Sequence, residues 1–177
     1  MTVMRSNIFV VMGVSGCGKS TVGAQLAAAL SLEFLEGDTL HSAANVARMA
    51  AGFALNDADR AGWLQTLAER IEAARLAGTG LVLSCSALKR AYRDILRQGA
   101  PDLHFLYLHG DYDLLAARMA ARTGHYMPLS LLVSQLATLE APEPDEHAQT
   151  FDMASRPEDI VAAIVARWPR NGAGDAA

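Results

Sequence analysis

The feature that most constrains this chain is a glycine loop set between an apolar run and a stretch rich in Ala and Leu. Ile8-Phe9-Val10-Val11-Met12 reads as a strand buried on both faces. Gly13-Val14-Ser15-Gly16-Cys17-Gly18-Lys19-Ser20 follows, and Thr21 to Leu30 reads as a helix. The loop fits G-x-x-x-x-G-K-[ST] in its required strand–turn–helix setting. Glycines let successive main-chain N–H groups curl inward around phosphate oxygens, and the helix adds its positive end. Lys19 is a compact point charge that reaches β- and γ-phosphates, and Ser20 offers a hydroxyl to Mg²⁺. The expected ATP cradle is therefore Gly13, Ser15, Gly16, Cys17, Gly18, Lys19, Ser20 and Thr21, with the Cys17 side chain a bystander.

The rest of the chain alternates in the same way. Glu33 to Glu36, Leu81 to Cys85, His104 to Leu108 and Thr150 to Met153 predict further strands. His41–Ala51, Asp57–Ala77, Leu88–Gln98, Tyr112–Ala121, Leu129–Leu139 and Pro157–Trp168 predict helices, with Asn56 or Asp57 capping the second of these. Alternating strands and helices imply right-handed βαβ units and an α/β fold of three layers around a mostly parallel sheet. Ligands in such a sheet bind at the carboxyl ends of the strands. Residues 1–169 are expected to form one domain, with Arg170 to Ala177 a disordered tail.

Composition narrows the function. The net charge is −4, which argues against nucleic acid as a partner. No apolar run is long enough to cross a bilayer, the first residues do not resemble a signal peptide, and Cys17 and Cys85 form no metal-ligand spacing, so a cytoplasmic protein is expected. A GTPase would carry a base-reading N-K-x-D, which is absent. Asp59-Arg60-Ala61-Gly62 matches D-x-x-G but follows no buried strand, and no apolar strand ends in the Asp-Glu pair of a hydrolytic ATPase. There are 13 Arg but only two Lys, Lys19 and Lys89, so each lysine needs a local reason.

Acceptor-side candidates sit after the other strands. Asp38 follows the second strand and can orient an attacking hydroxyl; the alternative is a helix cap. His41, Asn45 and Arg48 recur at helical spacing and share a face, which either hydrogen-bonds a polyhydroxylated substrate or meets water. Arg60 can clamp a carboxylate in a bidentate pair, or form a surface bridge with Asp57 or Asp59. Trp63 reads as core. Ser84 to Arg93 holds hydroxyls and Lys89 at the binding edge; the alternative is a helix start with a Ser cap. Arg118 and Arg122 end a helix before Thr123-Gly124-His125-Tyr126-Met127-Pro128 and can close over a transferring phosphoryl group, or simply complement the helix dipole. These features favour a small-molecule kinase over an ATP-binding regulatory module.

At this point the sequence resembles the small P-loop gluconate kinases. The matching stretches are Met12 to Ser20, Gly37-Asp38-Thr39-Leu40-His41, Asn45 to Gly52, Leu55 to Arg60 with Trp63-Leu64, Cys85 to Asp94, Arg118 to Met127 and Leu132 to Pro142, within residues 7 to 168. The resemblance implies ATP-dependent phosphorylation of D-gluconate to 6-phosphogluconate, a nucleoside-monophosphate-kinase-like fold with a mobile lid over residues 118–128, and a homodimer. On that footing Lys19, Asp38 and Arg122 are the expected catalytic residues. Arg118 and Arg122 join the ATP site, Ser20 holds Mg²⁺, and Asp38, His41, Arg48, Arg60, Lys89, Arg93 and His125 meet the substrate. The resemblance does not fix which residues hold the substrate carboxylate; Arg60, Lys89 and Arg93 are the candidates by charge and position. Ser42 and Gly62 stand where the family usually has Pro, which puts loop order in question there.

Overall fold

A computed structural model describes residues 6–122 and 128–168. Five parallel strands, β1 (Ile8–Met12), β2 (Phe34–Glu36), β3 (Leu81–Ser84), β4 (His104–His109) and β5 (Gln149–Asp152), form one sheet in the order β2-β3-β1-β4-β5. The register sets Val10 opposite Leu83 on one side and Phe105 on the other. All five β1 residues are buried. Alternate side chains of a strand point to opposite faces, so this central strand must be covered on both. Its unbroken apolar run is the sequence record of that position. The layers are the expected ones.

Among the described residues seven α-helices join and cover the strands: α1 (Lys19–Leu30), α2 (Ala43–Ala50), α3 (Asp57–Ala77), α4 (Arg90–Gly99), α5 (Tyr112–Ala121), α6 (Leu129–Thr138) and α7 (Pro157–Arg167). Helix α1 packs with α7, and α3 with α4. Leu26 of α1, Leu64, Leu67 and Ile71 of α3, Leu96 of α4 and Ile164 of α7 carry the buried stripes, each full burial contributing roughly 1.5–3 kcal/mol. The long α3 begins in a capping box: Asn56 Oδ1 accepts from the Asp59 amide and Asp59 returns the bond to the Asn56 amide, at 2.8 and 2.9 Å.

Local chemistry moved several boundaries. Helix α1 starts at Lys19, two residues early, because left-handed Gly18 takes the cap position. Helix α2 starts at Ala43 because Ser42 caps it, its Oγ accepting from the Asn45 amide at 3.1 Å. Where a proline would stiffen the turn, a serine anchors it. Gly62 lies inside an unbroken α3, so that departure leaves the helix whole. Helix α4 starts at Arg90 with no side-chain cap, since Ser84 and Ser86 lie upstream of its first turn. Most of the expected lid (residues 123–127) and the tail (170–177) fall outside the described residues.

Candidate active site

Two strand ends, those of β1 and β2, build the site. The loop after β1 curls from Gly13 to Gly18. Gly13 adopts φ +145°, and a Cβ there would lie 2.7 Å from Cys17 Sγ and 2.8 Å from the Leu108 carbonyl, so only glycine fits. Gly18 ends the loop with no side chain capping the first amides of α1, which leaves a ready anion site at the helix start. Lys19 folds back along the loop, its Nζ donating to the Val14 carbonyl at 3.0 Å.

The segment after β2 forms the opposite wall. A Cβ at Gly37 would collide with the Ser84 carbonyl, so glycine lets this segment cross close over β3. Residues 37–40 then form a 3-10 turn that carries Asp38. His41 comes next, its side chain 4% exposed and its Nε2 3.9 Å from Asp38 Oδ1. Its ring stacks on Trp63 with centroids 4.0 Å apart, and the Trp63 indole N–H donates to the Gly37 carbonyl at 2.8 Å. Burial lowers the His41 pKa, Asp38 opposes that shift and Arg60 adds to it, so the ring is neutral at pH 7. Its Nδ1 is buried without a hydrogen-bond partner among the described residues.

These walls enclose one cavity of about 440 Å³. Ser15, Gly16, Gly18, Lys19 and Ser20 line it from the phosphate loop, Glu36, Asp38, Thr39 and His41 from the segment after β2, and Val46 and Arg122 complete it. The nucleotide cradle and the proposed hydroxyl-orienting carboxylate thus share a single space.

Three contributors escaped the sequence reading. Glu36 accepts hydrogen bonds from both the Ser20 and Ser84 hydroxyls. Its signal was an acid two residues before Asp38 on the same strand end. Gln135 Oε1 accepts from the Ser15 amide at 2.8 Å, tying α6 to the phosphate loop; its signal was an amide in a helix with no charged residue. Tyr92 sits under two cations: Arg60 Nη1 donates to its hydroxyl at 3.0 Å, and Lys89 Nζ lies 5.7 Å from its ring centre.

The remaining expected site residues separate. Arg60 and Lys89 line a second, open groove with Asn56, Asp57 and Ala58. There Asp57 accepts from Lys89 Nζ at 3.0 Å and from the Tyr92 hydroxyl. Those two hydrogen bonds hold the Asp57 carboxyl below the usual range. Arg60 thus meets Asp57 through the shared Tyr92 hydroxyl instead of in a direct surface bridge. Asn45 and Arg48 do not share a substrate-facing surface with His41. His41 precedes the helix, Asn45 Nδ2 donates to the Asp59 carbonyl at 2.8 Å, and Arg48 lies 3.7 Å from the Asp59 carboxylate. Both therefore dock α2 on α3. Arg118 Nη2 donates to the Met153 carbonyl at 2.8 Å, while Arg122 reaches the cavity. Thr21 is exposed and Cys17 buried. His125 lies outside the described residues. Arg93 is corrected outright: its side chain is fully buried and forked onto Glu146 at 2.7 and 2.9 Å, out of reach of any sugar acid.

Comparison with known proteins agrees with this geometry. A family model described as an AAA domain matches residues 8–142. The thermoresistant gluconokinase of Escherichia coli (strain K12) is 43% identical over 160 residues, covering 90% of this chain and 91% of the relative. The crystal structure of a sugar kinase from Janibacter sp. HTCC2649, unliganded, superposes with a TM-score of 0.90 at 46% identity, over 95% of this chain and 97% of that one. That of a gluconokinase from Sinorhizobium meliloti 1021 superposes with a TM-score of 0.82, also at 46% identity, over 93% of each chain. The chain belongs to the gluconokinase family.

Proposed function

We propose that this protein transfers the γ-phosphoryl group of ATP to the 6-hydroxyl of D-gluconate, giving ADP and 6-phosphogluconate. The observation that carries this reading is the shared cavity, with the phosphate loop on one wall and Asp38 and His41 on the other. ATP phosphates lie against the Ser15–Ser20 amides and Lys19. The substrate hydroxyl hydrogen-bonds Asp38, which aligns the oxygen with the γ-phosphorus and takes its proton. The new O–P bond forms as the bond from phosphorus to the β,γ-bridging oxygen breaks, and ADP leaves with that electron pair. The transition state is loose, so positioning and charge supply most of the acceleration. Lys19 and Arg122 stand where charge accumulates on the transferring group. His41 lines the same cavity beside Asp38, where it backs the wall that meets the sugar acid. Arg60 and Lys89 are the candidate cations for the substrate carboxylate; they line the second groove, where a carboxylate would have to compete with Tyr92 and Asp57 for them.

The donor set also fits magnesium. The Ser20 hydroxyl and the Glu36 carboxylate are hard oxygen ligands held side by side, the pairing Mg²⁺ selects. Bound there, the ion would neutralise charge on the β- and γ-phosphates. A homodimer and a cytoplasmic location complete the proposal by family resemblance. Among the described residues no helix is long and apolar enough to cross a membrane.

The deciding experiment couples ADP release to a spectrophotometric readout with MgATP and, in turn, gluconate, shikimate and nucleoside monophosphates. Saturable turnover with gluconate alone is expected. Turnover confined to another acceptor would refute the assignment.

A further inference from the structure

Arg93 lies wholly inside the protein, and its guanidinium is divided among three partners. Nε and Nη2 grip the Glu146 carboxylate at 2.7 and 2.9 Å, while Nη1 donates to the Ala87 carbonyl at 2.9 Å and to the Leu88 carbonyl at 3.4 Å. Glu146 is held in turn: its Oε2 accepts from the Glu143 amide at 2.9 Å and its Oε1 from Arg97 at 3.0 Å. Ala87 adopts φ +46°, a left-handed conformation that costs free energy in a residue with a Cβ and persists only where its surroundings enforce it. The Arg93 bond to its carbonyl is one of the contacts that surround it.

What the arginine holds is a junction. The Ser86 carbonyl accepts from the amide of Gly13, the first residue of the phosphate loop, at 3.3 Å. The Leu88 carbonyl accepts from the Glu140 amide at 2.7 Å. The next residue is Lys89, whose ammonium stands in the second groove. Three successive carbonyls are thus engaged from elsewhere in the fold, and the second and third both accept from the buried arginine. A buried ion pair such as Arg93 with Glu146 is weak evidence for stability, because desolvation offsets much of its attraction. Its geometry here is that of a clamp on one strained segment.

We propose that Arg93 and Glu146 are positioning residues: together they lock Ser86 to Lys89, and so fix the acceptor-side cation Lys89 relative to the nucleotide cradle. This rests on the kinase reading above. Loosening the clamp displaces Lys89 more than the phosphate loop, which is also held by Lys19 and Gln135.

The test uses the full chain carrying Arg93→Lys, which keeps the charge but replaces the planar fork with a point donor. The expected result is a rise of about tenfold or more in the KM for gluconate, with the KM for ATP within about twofold of wild type and a cooperative melt retained. Unchanged constants, or equal losses for ATP and gluconate, overturn the proposal. If Arg93→Lys does not fold, Glu146→Gln is read against the same criteria. A crystal structure of either variant adds an arm independent of turnover: the Ser86–Lys89 backbone should shift, and an unmoved segment overturns the proposal. If wild-type protein fails to phosphorylate gluconate, the assigned reaction fails by itself, and the crystallographic arm still decides the clamp.

Discussion

Glu146 offers a prediction whose size follows from its surroundings. Burial alone would raise its pKa; hydrogen bonds from Arg93, from the Glu143 amide and from Arg97 overcome that and bring it from an ordinary 4.5 to about 2. A carboxylate whose pKa falls on folding contributes stability that is complete above its unfolded value and drains away as pH drops toward its folded value. At 1.36 kcal/mol per unit the full contribution is about 3 kcal/mol. Linkage places the loss between pH 5 and pH 3 at about 2 kcal/mol, since most unfolded copies of this group become protonated within that window. For a chain of this length that corresponds to about 4–8 °C in melting temperature. Glu146→Gln removes the titration while the other carboxylates titrate alike in both proteins and cancel. Urea melts of wild type and variant at pH 7, 5 and 3, followed by tryptophan fluorescence, should therefore show a large gap at pH 7 and 5 that narrows by about 2 kcal/mol at pH 3. A gap constant across that range would show that the Arg93 fork does not favour the ionised acid, and the reasoning would be wrong.

Asp38→Asn keeps the shape of the side chain but removes its capacity to take a proton. Turnover is expected to fall about 10²- to 10⁴-fold with ATP-analogue affinity unchanged by equilibrium dialysis; undiminished turnover would strip Asp38 of its role. Burial pushes the Cys85 thiol up to about 12, so iodoacetamide at pH 8 should leave it unlabelled in native protein and label it in urea, as read by peptide mass. Trp63→Phe retains the ring against His41 but abandons the Gly37 carbonyl. A loss of about 1–3 kcal/mol in urea-melt stability is expected, with a raised KM for gluconate because the turn carrying Asp38 loosens.

Where a residue's role depends on its own strand or loop, the sequence was a good guide. The glycine loop, the buried β1 run and the Asn56 cap of α3 are local patterns, and each appears where the residues predicted it. Asp38 and His41 reach the cavity because they directly follow a strand end. Tertiary partners were harder to read. Nothing within a few residues of Arg93 announces Glu146, which is more than fifty positions away, so a cation beside Lys89 looked like a ligand when it was a buried strut. Arg48 fell to the same cause: its partner, Asp59, lies on another helix. Glu36 was hidden differently, because its place in a short strand gave no hint that two serine hydroxyls from separate elements converge on it.

The strand order has one more implication. The loop bearing Asp38 leaves β2, the loop bearing the phosphate cradle leaves β1, and β3 alone lies between them. The two strands themselves stand two backbone ladder spacings apart, about 10 Å. Side-chain exchange can retune what the pocket grips, but that interval is a ruler graduated in main-chain hydrogen bonds, and no point mutation recalibrates it.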